Sequence, residues 1–73
     1  MAAIPYHVAE AFQAGKYARA GNFYSTGHDL YSYEMKIAHW NLGELMWDIN
    51  PDNPPSISVT TSRHIKAALS VLR

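Results

Sequence analysis

The stretch Asp29-Leu30-Tyr31-Ser32-Tyr33-Glu34-Met35-Lys36-Ile37-Ala38-His39-Trp40 is the densest run of strand-forming residues in the chain. β-Branched and aromatic side chains suit a pleated, half-buried surface. The run is long enough for two strands, and it predicts a tight reversal around Glu34. Leu30–Tyr33 would lead in and Met35–Trp40 lead out. Strict alternation along the second strand would put Met35, Ile37 and His39 on one face and Lys36, Ala38 and Trp40 on the other.

On the N-terminal side, Asn22–Thr26 predicts an earlier strand, joined to Leu30 through a turn at Gly27-His28. On the C-terminal side, Asn41-Leu42-Gly43 reads as a turn in which Gly43 can take positive φ. Glu44–Ile49 then alternates, with Leu45, Trp47 and Ile49 against Glu44, Met46 and Asp48. That is the pattern of a sheet buried on one face. Asn50–Pro55 holds three prolines within five residues, which excludes a central strand and predicts a loop. Ser56–Thr60, with Ile57 and Val59 inward, is expected to be a last short strand. Gly15–Gly21, carrying Lys16 and Arg19, reads as a solvated connector.

Both ends predict helices. Ile4–Ala14 places Ile4, Val8, Ala11 and Phe12 on one face, with Pro5 in the first turn and Gly15 as a stop. Thr60-Thr61-Ser62 offers cap hydroxyls to a helix whose buried stripe is Ile65, Ala68, Leu69 and Leu72. The expected fold class is α+β. It is a small curved antiparallel sheet of four to five strands with an N-terminal and a C-terminal helix, in the order α-β-β-β-β-β-α, within a single domain over residues 1–73.

Seventy-three residues without a cysteine exclude disulfides and Cys-based zinc as supports for so small a core. A homodimer is one remaining way to complete it. Six basic residues balance six acidic ones, so net charge is zero with His neutral. Nonspecific nucleic-acid binders carry a basic excess, which makes nucleic acid the less favoured partner. Met1–Pro5 has no basic n-region, and no window reaches about 18 apolar residues, so a cytoplasmic protein with no membrane partner is expected.

Four pieces in order, Gly21-Asn22, Gly27-His28-Asp29-Leu30-Tyr31-Ser32-Tyr33, Ile37-Ala38 and Ser58-Val59-Thr60-Thr61-Ser62-Arg63-His64, resemble a group of small phage-encoded proteins. These carry a GN pair, a DG-x-[IL]-YSYG hairpin, an IA pair and an S-x-TT-x-x-H lead-in to a C-terminal helix. The likeness covers about residues 21–72 and leaves the N-terminal helix outside. It implies a phage or mobile-element origin and a β-rich core, and it implies no particular activity. Glu34 stands where the group has Gly. Because glutamate disfavours positive φ, a different turn is expected there.

Candidate chemistry is sparse. Thr60, Thr61 or Ser62 beside His64 is a hydroxyl–imidazole arrangement, but a helix cap with a packing histidine explains the same residues. His7, His28, His39 and His64 lack metal-ligand spacing, and His39 would approach the His28-Asp29 turn only in one particular sheet register. Asp29, Glu34, Glu44 and Asp48 are scattered. No catalytic residue, metal or cofactor is therefore assigned, and an enzyme is not expected. The aromatic residues exceed what one face of so small a sheet can hide. Tyr24, Tyr31, Tyr33 and Trp40, with Lys36 among them, are the candidate partner-binding residues, since Tyr and Trp bury area with little entropy loss. The resulting expectation is a non-catalytic phage or mobile-element protein that binds and inhibits a host protein or protein complex. An anti-CRISPR or other anti-defence inhibitor is its most concrete form. The alternative is a small nucleic-acid-binding module using an aromatic sheet face.

Overall fold

The computed structural model describes residues 5–53 and 59–72. Helix α1 (Tyr6–Gln13) is followed by β1 (Tyr17–Ala20), β2 (Phe23–Thr26), β3 (Asp29–Ser32), β4 (Met35–Asn41), β5 (Glu44–Trp47) and helix α2 (Val59–Leu72). The five strands form one antiparallel meander in sequence order. The α-β5-α architecture is the expected one, but two of its pieces lie elsewhere than the sequence predicts.

The connector Gly15–Gly21 contains a strand. β1 pairs with β2 through Tyr17–Thr26, Ala18–Ser25, Arg19–Tyr24 and Ala20–Phe23. Ala18 and Ala20 turn toward the core while Tyr17 and Arg19 face out. Conversely, the expected last strand is not one where it is described. Val59 and Thr60 are exposed residues of α2, while Ser56–Ser58 lie outside the described residues. Thr60, Thr61 and Ser62 therefore sit inside the first turn of α2 and do not precede it.

A second correction concerns β4. Leu30 opposes Ala38 but Tyr31 opposes Lys36, so Ile37 is an extra residue, a bulge. A bulge breaks the two-residue alternation. Ile37 and Ala38 are both fully buried, and the residues beyond them reverse face relative to the simple reading. Met35, Ala38 and Trp40 lie on the inner face, Lys36 and His39 on the outer.

Both helices lie on the inner face. α1 ends in a Schellman arrangement in which Lys16 N donates to Ala11 O at 2.7 Å and Gly15 N to Phe12 O at 3.0 Å. Gly15, at φ +72°, supplies the left-handed residue this stop requires. Val8, Ala9 and Phe12 of α1 are buried with Phe23, Leu30, Ile37 and Ala38 of the sheet and Ile65, Ala67 and Ala68 of α2. Ile4, expected on the α1 stripe, lies outside the described residues, and Ala9 takes a buried place that the spacing did not assign. Phe12 stacks on Trp40, ring centroids 5.4 Å apart, and its carbonyl accepts Trp40 Nε1–H at 2.8 Å. Gln13 Nε2 donates to Val71 O at 3.2 Å and links the two helices.

Candidate functional site

With both helices on one side, the other face of the sheet is left bare by the described residues. Its centre is set by register. Arg19, Tyr24, Tyr31 and Lys36 oppose one another in turn across β1, β2, β3 and β4. Side chains directly across a ladder lie close enough to touch, and these form a continuous stack. The Tyr24 and Tyr31 rings are 5.1 Å apart and 18° from parallel. Arg19 Cζ lies 5.4 Å from the Tyr24 centroid, and Lys36 Nζ lies 6.0 Å from that of Tyr31. Each tyrosine thus has a ring on one side and a cation on the other. Aromatic and cation–π contacts of this kind are each worth roughly 0.5–1.5 kcal/mol. The bulge at Ile37 is what aligns Lys36 with Tyr31.

Tyr33 adjoins this row from the β3–β4 turn. It takes the positive φ, +59°, of this turn, and Glu34 does not. Tyr33 N donates to Asn22 O at 2.6 Å, which ties this turn to the β1–β2 turn. Between the two turns runs an open groove of about 490 Å³, lined by Arg19, Asn22, Tyr24, Tyr33 and Glu34. Of the candidate residues, Tyr24, Tyr31 and Lys36 come together and Tyr33 borders them. Trp40 does not join them. It faces the core, where its indole packs on Phe12. Sequence reasoning missed Arg19, because short Ala18 and Ala20 hid the strand. The Tyr17/Arg19 against Ala18/Ala20 alternation was the signal that could have found it.

The far end of the same face carries charge. Asp29 pairs with His28 Nδ1 at 3.0 Å and with Lys36 Nζ at 3.6 Å, and Asp48 pairs with His39 Nδ1 at 2.7 Å. His39 stands directly opposite Asp29, the register that brings it to the His28 turn. Among the described residues, no cluster of three or more His, Asp or Glu side chains is placed to hold a metal ion, and no helix is long and apolar enough to cross a membrane.

His64 has a different setting. Its Nδ1 is hydrogen-bonded at 2.7 Å to Ser32 Oγ, a hydroxyl that donates to Thr61 Oγ1 at 3.3 Å, and its ring stacks on Phe23 at 4.5 Å. The hydroxyl beside His64 is therefore Ser32 of β3, not one of Thr60–Ser62. Ser32 is only 1% exposed, so this pair joins α2 to the sheet and presents nothing to solvent. Burial pushes the His64 pKa below its ordinary value. The unfolded chain then takes up this proton first as pH falls. Stability from His64 is fully present above about pH 6.5 and is lost as pH drops through that value toward the lower folded pKa. Thermal melts between pH 7.5 and 5.5 should show falling stability, at most about 1.4 kcal/mol per pH unit for one proton. A His64→Gln variant should show a shallower slope; equal slopes would contradict this role.

Comparison of the chain with protein-family profiles, with curated proteins and with solved structures finds no match.

Proposed function

We propose that this protein is a non-catalytic binding protein that covers a surface of a host protein or protein complex, and that its working surface is the outer face of the sheet. The observation that carries this reading is the placement of both helices on the inner face. It leaves Arg19, Tyr24, Tyr31 and Lys36 stacked and accessible, with Tyr17, Tyr33 and Met46 exposed beside them. Tyr and Arg are the residue types that dominate interface energetics. Held in register by the ladder, they lose little further side-chain freedom on binding. In the phage setting that the sequence resemblance implies, the concrete form is an inhibitor of a host defence system such as CRISPR.

A nucleic-acid platform fits less well. Base stacking needs a free ring face, and Tyr24 and Tyr31 have both faces occupied. Of the two cations in the stacked row, Lys36 is also paired with Asp29.

The test is capture from a lysate of the bacterial host with the wild-type chain and with an Arg19→Glu/Lys36→Glu variant as bait. The expected result is a specific host protein on the wild type that is lost on the variant. Recovery of nucleic acid with steep salt dependence, or equal capture by both baits, would overturn the proposal.

A further inference from the structure

We infer that His28 and His39 form a two-imidazole chelate for a divalent transition-metal ion of the nickel and zinc class. The two side chains come from different elements. His28 sits in the β2–β3 turn, which Thr26 Oγ1 fixes by accepting from His28 N at 3.4 Å and Asp29 N at 3.0 Å. Trp40 N donates to His28 O at 3.0 Å, so the turn is hydrogen-bonded to β4 next to His39. The two rings lie 6.3 Å apart, 30° from parallel.

Tautomer is what makes the pair a chelate. An ionised carboxylate can only accept, so a neutral imidazole facing one must carry its proton on the facing nitrogen. His28 Nδ1 faces Asp29 Oδ1 and His39 Nδ1 faces Asp48 Oδ2. In that neutral form both Nε2 atoms are the unprotonated ones, and no described residue hydrogen-bonds either of them. A carboxylate on the far ring nitrogen is the usual outer support of a metal-bound histidine, fixing its orientation and raising its basicity. Here each ligand has its own.

The spacing is within reach. With metal–nitrogen bonds of roughly 2.1 Å and the ring centre about 1 Å further on, two imidazoles on one ion have centroids roughly 6 Å apart when trans and roughly 4.5–5 Å apart at a tetrahedral or cis angle. Rotation of the exposed His28 side chain closes the difference. Imidazole nitrogen suits nickel, copper and zinc and not magnesium or calcium. Water would complete the coordination. Lys36 stands on β4 with His39, and its Nζ lies 3.6 Å from Asp29 Oδ1, the oxygen that also faces His28 Nδ1.

The experiment is calorimetric titration of the full, tag-free chain with nickel(II) chloride and zinc(II) chloride at pH 7.5, alongside NMR of the imidazole protons. The expected result is one ion per chain, with the His28 and His39 signals shifted and those of His7 and His64 unmoved. His28→Ala and His39→Ala should each weaken binding by at least about tenfold, and Asp48→Asn by roughly tenfold. His7→Ala should change nothing. Circular dichroism of each variant reports that it remains folded, since both histidines lie outside the core. Absence of saturable binding, or loss confined to one of the two histidine variants, would overturn the chelate.

Discussion

Phe12→Ala is expected to leave the chain largely unfolded at 25 °C. The Phe12 side chain is fully buried where α1 meets the sheet, and it carries the Trp40 ring on its face. Removing a buried phenylalanine costs about 3–5 kcal/mol from lost transfer energy and the cavity left behind. A core of this size supplies roughly 3–5 kcal/mol of net stability in total. The two magnitudes match, so the substitution removes most of the margin. Trp40→Phe is the informative companion. It keeps a ring against Phe12 but removes the Nε1–H bond to the Phe12 carbonyl, about 1 kcal/mol, and should stay folded. Far-UV circular dichroism and thermal melts decide both. A cooperative melt for Phe12→Ala close to that of the wild type would show that α1 is not integral to the core.

The second large effect is expected at Gly27. Its φ is +96°, and a Cβ added there would meet the Gly15 carbonyl oxygen at 2.9 Å. The β2–β3 turn is seated on the α1–β1 connection, an arrangement held by Ser25 Oγ. That hydroxyl donates to Lys16 O at 2.9 Å and accepts from Gly27 N at 3.0 Å. Gly27→Ala therefore adds backbone strain to a steric overlap with main chain that cannot swing away. Together they cost roughly 2–6 kcal/mol. Gly21→Ala is the control, because Gly21 has φ +62° but open space around it, leaving only the backbone term of about 1–2 kcal/mol. Urea melts should rank Gly27→Ala well below Gly21→Ala. Equal destabilisation would mean that the close approach to Gly15 is not a real constraint.

The sequence made the β2–β5 meander and both helices readable because their signals are local. Leu45, Trp47 and Ile49 alternate cleanly, Gly15 and Gly43 stand where positive φ is needed, and Val8 and Phe12 keep helical spacing. β1 was hidden because Ala18 and Ala20 are too small to mark an inward face, and its strand character comes from pairing with β2. The bulge at Ile37 leaves no local mark either. Its effect was to turn Trp40 inward and to set Lys36 on the tyrosine row. Trp40 thus looked like a surface anchor in the sequence and is a core residue in the fold. Arg19 looked like a linker cation and ends the stacked row. Asp29 and His39, separated by ten positions, meet only once register is fixed.

The central claim is that the outer sheet face is the binding surface. Its most direct test is the affinity of the purified captured partner for three proteins. These are the wild type, the Arg19→Glu/Lys36→Glu variant on the outer face, and a Glu10→Lys variant on the exposed side of α1. The account predicts that the outer-face variant binds at least about tenfold more weakly, as loss of anchor residues at an interface does, while Glu10→Lys binds like the wild type. Weakened binding by Glu10→Lys together with unchanged binding by the outer-face variant would contradict it.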